Sequence, residues 1–165
     1  MRNCLSSSVT VLFGLATLLA SLASAANDHG QHLPRHPAQL ANQPINIELA
    51  RTNPERTMGL MFRTDLGTDS GMLFCYNSPQ PMVFWMKNTR IPLDIVFFDP
   101  DLRIVDWIEG MKPGYGLSEV QLPRYAAKVP AQYALELASG SIKARGLALG
   151  DRLIVPLPLL HADEP

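Results

Sequence analysis

The chain has 165 residues, of which 47% are hydrophobic and 18% charged, with a formal net charge of −1. Lysine and arginine number 14 against 15 aspartate and glutamate, so no basic surface for nucleic acid or anionic lipid is expected. The length and the apolar content are sufficient for one domain with a core of its own.

The first 25 residues have the pattern of a secretory signal peptide. Arg2 supplies a positive start, and residues 9–22 form an apolar run without a charge. The small residues that follow suit a signal peptidase, so we expect cleavage near Ala25. Because the run is shorter than the ~20 apolar residues that cross a bilayer, we expect a periplasmic or secreted protein with no membrane span in its mature chain.

Residues 26–43 are polar, rich in Gln, His and Pro, and without periodicity, which predicts a flexible leader. Cleavage after Ala26 would leave Asn27-Asp28-His29 as the N-terminus. Its amine, two amides and the His29 imidazole would then form a square-planar site for Cu(II) or Ni(II). Cleavage after Ala25 would spoil this chelate, and a solvated leader with incidental histidines is the simpler interpretation.

The globular domain is expected over residues 44–158, followed by a short tail over 159–165. Residues 45–50 alternate apolar and polar side chains, as a half-buried strand does. Thr52 and Glu55 have capping-box spacing and Pro54 suits a first helical position, which together predict a short helix to about residue 60. After a turn-rich stretch, further strands are predicted over 72–76, 82–87 and 93–98.

The strand over 93–98 is apolar on both alternations except at Asp94, so we expect it to be covered on both faces. A tight turn at 99–101 leads into a strand to residue 109, and a long loop over 112–130 follows. A strand over 132–137, a helix over 139–145 and a last strand over 152–157 complete the pattern. Many short strands with two short helices predict an α+β, mainly β fold: a compact, partly closed antiparallel sheet or barrel.

The placement of histidine and cysteine argues against several kinds of active site. The four histidines, at positions 29, 32, 36 and 161, lie outside the predicted domain, so a Ser-His-Asp or Cys-His site would lack its base. The same scarcity disfavours zinc, and we expect no cofactor and no metal in the domain. Cys4 would leave with the signal peptide, so Cys75 would have no disulfide partner, and its apolar neighbours predict an inert thiol.

The densest group of polar residues lies in segment 84–94. Strand alternation puts Trp85 and Lys87 on one face, and a short connection through a proline could return Asp94 to the neighbourhood of Lys87. A tryptophan platform beside Lys87, Asn88 and Asp94 suits a sugar or another polar ligand. The alternative is structural, with Trp85 in the core and Lys87 paired with Asp94 to satisfy a buried carboxylate.

Five short motifs follow one another along the domain: GLMFR at 59–63, GMLF at 71–74, FWMKNT at 84–89, IPLD at 91–94 and GD at 150–151. In order and spacing they resemble the bacterial and archaeal domain-of-unknown-function family 192, over about Ile45 to Val155. The resemblance implies a small exported or membrane-tethered single domain with a mainly β fold, and it brings no established reaction. Cys75 lies outside the matched motifs, whereas residues 111–124 depart from a shorter, sometimes cysteine-bearing segment of the family.

These observations favour an exported accessory or ligand-binding domain over an enzyme. Its pocket for a small polar ligand or an envelope component would be formed by Arg63, Trp85, Lys87, Asn88 and Asp94, with the loop over 111–124 as the rim. One alternative is an enzyme that acts on an envelope polymer, with Asp94 as general acid or base and Lys87 tuning its acidity. Another is a protein-interaction scaffold that uses exposed apolar residues of the long loop.

Overall fold

The structure, a computed structural model, describes residues 29–156 and residue 160, and most of its regular elements are strands. The two short helices are α1 (Asn53–Met58) and α2 (Ser141–Arg145), and one 3₁₀ turn spans Glu119–Gln121. The strands are β1 (Arg35–Leu40), β2 (Gln43–Ala50), β3 (Ser70–Gln80), β4 (Val83–Phe84), β5 (Leu93–Phe98), β6 (Ile104–Met111), β7 (Tyr125–Ala126), β8 (Ala131–Ala138) and β9 (Leu153–Ile154). The predicted signal peptide lies outside the described residues.

Seven strands form one curled sheet in the order β6-β5-β8-β3-β2-β1-β9, and β4 pairs with β7 in a small second sheet. The sheet is a half-barrel whose two edges approach each other: Ile104 N donates to Asp151 O at 2.8 Å and Leu153 N to Leu102 O at 2.9 Å. The predicted fold class, mainly β with a partly closed sheet and two short helices, is confirmed. Among the strands of the described residues only β2 and β3 pair in parallel, because the connection through α1 returns the chain to the same end of the sheet.

Strand β1 lies inside the segment that the sequence predicted to be a flexible leader, and this prediction is wrong for residues 35–40. The strand pairs with β2 along its whole length and with β9 on its other side. A two-residue turn at Ala41 and Asn42, both with positive φ, joins it to β2 as a tight hairpin. The segment is too polar to show a hydrophobic pattern, since only Ala38 and Leu40 are buried.

The strand predicted over 82–87 is much shorter in the structure. Only Val83 and Phe84 pair with β7, after which Lys87 makes a single bridge to Gly114 and the backbone reverses at Asn88, with φ 53. The alternation of side chains after residue 84 therefore does not mark a strand. These residues form an irregular segment that packs against the long loop. Among the described residues no helix is long and apolar enough to cross a membrane.

The central strands β3, β5 and β8 bury both of their faces, and β5 is buried along its entire length, as predicted. One face carries an apolar cluster that includes Leu73, Cys75, Val96, Phe98 and Leu135. The opposite face, which lies under α1 and the segment around β4, carries a second cluster that includes Met72, Phe74, Ile95, Phe97 and Ala134. This second face, hereafter the α1 face, holds the candidate site.

Candidate functional site

A buried glutamate, Glu136 of β8, lies in the middle of the α1 face. Its neighbours across the ladder are Met72 of β3 and Ile95 of β5, and the residue is only 5% exposed. Within residues 29–156 its carboxyl has no hydrogen-bond or ion-pair partner. Burial raises the pKa of Glu136 from the usual 4.5 to about 8, so the carboxyl is mostly protonated at neutral pH.

The carboxyl of Glu136 lines a cavity of about 110 Å³ between α1, the segment that follows it, and the α1 face. This volume is well below the roughly 300–1,000 Å³ of drug-sized sites, so the cavity suits a ligand of a few heavy atoms. Its wall is contributed by residues 56–61, by Phe74 and Tyr76 of β3, and by positions 83–85, 87 and 89.

Aromatic rings form the apolar part of the wall. Phe84 packs edge-on against Phe74, with ring centroids 5.2 Å apart, and lies 5.9 Å from Phe97. These contacts hold β4 over the α1 face. Burial raises the pKa of Tyr76. The guanidinium of Arg56, which lies 4.8 Å from the Tyr76 ring, opposes this rise, whereas the nearby Glu136 adds to it.

Helix α1 forms the outer side of the cavity and ends sharply at Gly59. The predicted capping box is present: Glu55 N donates to Thr52 Oγ1 at 3.3 Å, while the Glu55 carboxylate accepts from Thr52 N at 2.9 Å. Gly59 has φ +48, and a Cβ at this position would lie 3.2 Å from Cζ of Phe74. The glycine therefore lets the chain turn against the aromatic wall with a positive φ that other residues adopt only with strain.

Trp85 and Lys87 line the cavity, and both belong to the predicted set. The Lys87 ammonium forms an ion pair with Glu119 of the long loop and lies 5.1 Å from the Trp85 ring. The Arg124 guanidinium lies over the same ring at 4.3 Å, so the ring that the sequence suggested as a sugar platform already carries a cation. The hydrogen bond from Lys87 lowers the pKa of Glu119.

The pairing expected between Lys87 and Asp94 does not form in the structure. Asp94 is fully buried, and its two oxygens accept from Gly110 N at 2.9 Å and from Ile142 N at 3.2 Å. A carboxylate in this position holds β6 and α2 to β5 and has no solvent access, which removes the geometry required of Asp94 as a general acid or base.

Arg63 and Asn88 are likewise absent from the cavity wall. Arg63 is 1% exposed and donates to the Glu48 carboxylate at 2.5 Å and to Gln31 O at 2.7 Å, so it belongs to a buried ion pair. Asn88 accepts a hydrogen bond from Phe62 N at 2.8 Å through its backbone carbonyl. Both residues therefore stabilise the positions of the segments that form the cavity wall.

Sequence reasoning did not single out Glu136, although a signal was present. Residues 134–138 read Ala-Leu-Glu-Leu-Ala, so the glutamate is the one charged side chain in a strand that is apolar on both alternations. Asp94 stands in the same kind of strand. The sequence cannot tell which of the two carboxyls finds backbone donors, because those donors come from distant parts of the chain.

A larger cavity, of about 460 Å³, is lined in part by Pro44, Asp69 and Arg145 and shares no lining residue with the Glu136 cavity. The guanidinium of Arg145 already has partners in the protein, because it forms an ion pair with Asp69 Oδ1 at 3.2 Å and donates to the carbonyls of Pro44 and Thr68. The Glu136 cavity is therefore the better candidate, because its buried carboxyl is still free to bind.

No group of three or more His, Cys, Asp or Glu side chains within the described ranges is arranged to hold a metal ion. The copper chelate predicted at the N-terminus depends on Asn27 and Asp28, which lie outside the described residues. Cys75 is a free, buried thiol, and burial raises its pKa to about 12.

Comparison with known proteins places the chain in a family. A Sinorhizobium meliloti 1021 protein, provisionally described as a transcription regulator, is 34% identical with a TM-score of 0.66 and covers 76% of this chain and 98% of its own. A protein of unknown function from Novosphingobium aromaticivorans DSM 12444 is 33% identical with a TM-score of 0.65, covering 78% of this chain and 95% of its own. None of the curated proteins matches. The family model DUF192, "Uncharacterized ACR", matches residues 36–155, and the chain belongs to this family.

Proposed function

We propose that the protein is an exported domain that binds a small polar ligand in the Glu136 cavity. The observation that carries this proposal is a buried carboxyl without a partner that lines a cavity. An unsatisfied buried polar group costs roughly 1–3 kcal/mol, and native structures keep such a group mainly where a role requires it. A ligand that hydrogen-bonds to Glu136 would offset this cost.

The other cavity residues have complementary roles in this proposal. The aromatic wall makes the surroundings of the Glu136 carboxyl less polar than water, which strengthens a hydrogen bond made there. Lys87 and Trp85 lie where a ligand would enter, beside the loop that carries Glu119 and Arg124. Thr89 is buried, and its hydroxyl donates its proton to Lys87 O at 3.2 Å, so the lone pairs of the hydroxyl oxygen can accept from a ligand.

The test is a thermal-shift screen of the purified protein against small polar compounds of up to about six heavy atoms. Compounds that raise the melting temperature are then measured on Glu136→Leu, which removes the carboxyl, and on Glu109→Gln, which removes an exposed carboxyl elsewhere. Binding should be lost in the first variant and kept in the second. Equal stabilisation of the wild type and Glu136→Leu would show that the compounds bind elsewhere.

A second candidate function, acid–base catalysis, is favoured by one observation. The pKa of Glu136 is raised to about 8, close to the working pH of a general acid or base. In this alternative Glu136 takes the role that the sequence suggested for Asp94. A bell-shaped or sigmoidal rate profile with a midpoint near 8 that disappears in Glu136→Gln would support catalysis over simple binding.

Export is supported by the signal-peptide pattern of the first 25 residues. N-terminal sequencing of protein recovered from the periplasm or medium should give a start near Ala26. A start at Asn27 would instead create the His29 copper chelate, which a visible-absorbance titration with Cu(II) would detect. Recovery of the intact chain from the cytoplasm would contradict export.

A further inference from the structure

We propose that the ligand of the Glu136 cavity is a small organic acid, whose carboxylate displaces Glu119 from Lys87 while Glu136 hydrogen-bonds to the same molecule. This inference rests on the proposed function and specifies its ligand. It combines two observations on the same cavity, the unpartnered buried carboxyl and the ion pair at Lys87.

The charges of the cavity favour an anion. The charged residues of the wall are Arg56, Lys87 and Glu136, and Arg124 lies beside them on the Trp85 ring. Arg56 donates to the carbonyls of Arg51 and Cys75 and to Asn53 Oδ1, so it supplies positive charge with most of its donors in use. A protonated Glu136 adds a donor and no charge. A cationic ligand would therefore meet two or three cations and no ionised partner inside the cavity.

Glu119 shows where the ligand carboxylate would bind. It belongs to the long loop, 32 residues from Lys87 in sequence, and its side chain is 58% exposed. Exposed ion pairs contribute only about 0–1 kcal/mol, so a carboxylate from solution can replace this one at little cost. The exchange would keep the Lys87 ammonium paired while it frees the 3₁₀ turn Glu119–Gln121.

The other end of the ligand would face Glu136. The charged and titratable groups that face this carboxyl are Arg56 from α1, Tyr76 from β3 and Lys87 from the segment after β4, while Ile95 of β5 is apolar. A hydroxyl or carbonyl oxygen on the ligand can accept the proton of Glu136 in a hydrogen bond. Small hydroxy and keto acids have this combination of a carboxylate and an acceptor within a few heavy atoms.

The experiment measures the affinity of glycolate and acetate for the purified protein by NMR titration at pH 6.5 and pH 9. Both acids should bind more tightly at pH 6.5, because an ionised Glu136 repels them at pH 9. Lys87→Met should weaken binding about tenfold, as expected for the loss of a charge-assisted hydrogen bond. Lys112 is an exposed lysine at the start of the long loop that carries Glu119, and Lys112→Met should leave binding unchanged. Glu119→Gln should strengthen binding, since the competing carboxylate is gone.

The variant Glu136→Gln separates the role of this residue from a structural one. Glutamine keeps a donor at every pH, so glycolate affinity should become the same at pH 6.5 and pH 9. Unchanged affinity in Glu119→Gln would overturn the displacement. If methylammonium or ethylene glycol binds and the acids do not, and this binding is lost in Glu136→Leu, the ligand is not an organic acid. The proposed binding function of the cavity would then still hold. Failure of all four probes to shift resonances of the cavity would overturn both proposals.

Discussion

Asp94 and Glu136 are both buried carboxyls on central strands of one sheet, and their surroundings give them different roles. Asp94 accepts hydrogen bonds from two backbone amides, so both of its oxygens have partners inside the protein. Glu136 has no such donors within the described chain, and the neutral form is favoured. A carboxyl without a partner that keeps its proton near neutral pH is available to a ligand, whereas a carboxyl whose two oxygens bind backbone amides is structural.

Cys75 provides a prediction at the residue scale. Its thiol is fully buried and its pKa is raised to about 12, so almost no reactive thiolate exists at pH 8. A thiol reagent such as iodoacetamide should label the native protein very slowly and the urea-unfolded protein rapidly. Cys75→Ala should lower the unfolding free energy by roughly 1 kcal/mol through lost packing and leave ligand binding unchanged. Rapid labelling of the folded protein would contradict this assignment.

At the scale of elements, the end of α1 determines the shape of the cavity. Gly59 has φ +48, which strains any other residue, and a Cβ there would be in tight contact with Phe74, so Gly59→Ala should lower the unfolding free energy by about 1–3 kcal/mol. Gly67→Ala is the matched control, because its φ is not in the left-handed region and its Cβ would lie 3.5 Å from Ser70 Oγ, an ordinary contact. Urea denaturation of both variants measures the difference, and equal stability would argue against strain at Gly59.

Strand β1 is the element that the sequence failed to predict, and a pair of substitutions tests its place in the sheet. Leu40 is fully buried in the cluster that joins β1, β2 and β9. Leu40→Ala should therefore cost about 2–5 kcal/mol of unfolding free energy. Gln39→Ala, one residue away on the exposed side, should change it by less than about 0.5 kcal/mol. If Leu40→Ala were as neutral as Gln39→Ala, residues 35–40 would be a flexible leader after all.

At the scale of the whole molecule, one buried acid makes stability depend on pH. The pKa of Glu136 is about 8 in the folded protein and near 4.5 when unfolded, so the folded state holds a proton that the unfolded state has released between these values. The contribution of Glu136 to the unfolding free energy should therefore fall as pH rises from about 5 to 8, by up to ~1.4 kcal/mol per pH unit, and this contribution levels off above 8.

The variant Glu136→Gln lacks this titration and provides the comparison. Its unfolding free energy, measured by urea denaturation at pH 5.5, 7 and 8.5, should vary less than that of the wild type. The pKa values of Glu55 and Glu119 are lowered in the folded protein, so these two carboxyls add stability as pH rises and do so below pH 5. They therefore do not account for a fall in the unfolding free energy between pH 5 and 8. Parallel pH profiles for the two proteins would contradict a raised pKa at Glu136.

The sequence by itself determined the features that depend on neighbouring residues. Alternating side chains located β2, largely apolar runs located β5 and β8, the capping box located α1, and the apolar neighbours of Cys75 predicted its burial. The order of short motifs was enough to indicate the family. These patterns are visible because strand and helix periodicity and capping act over a few residues.

Only the tertiary structure decided which polar groups meet. Lys87 pairs with Glu119 across 32 residues and not with Asp94, which lies seven positions away in the chain. Asp94 finds a donor in Ile142, 48 residues away, whereas Glu136 finds none within the described chain. Hydrogen bonds and ion pairs form between any groups that the fold brings within about 3 Å, so their partners depend on topology and not on local sequence. The family and the fold class were therefore predictable from the sequence, whereas of the candidate site only Trp85 and Lys87 were.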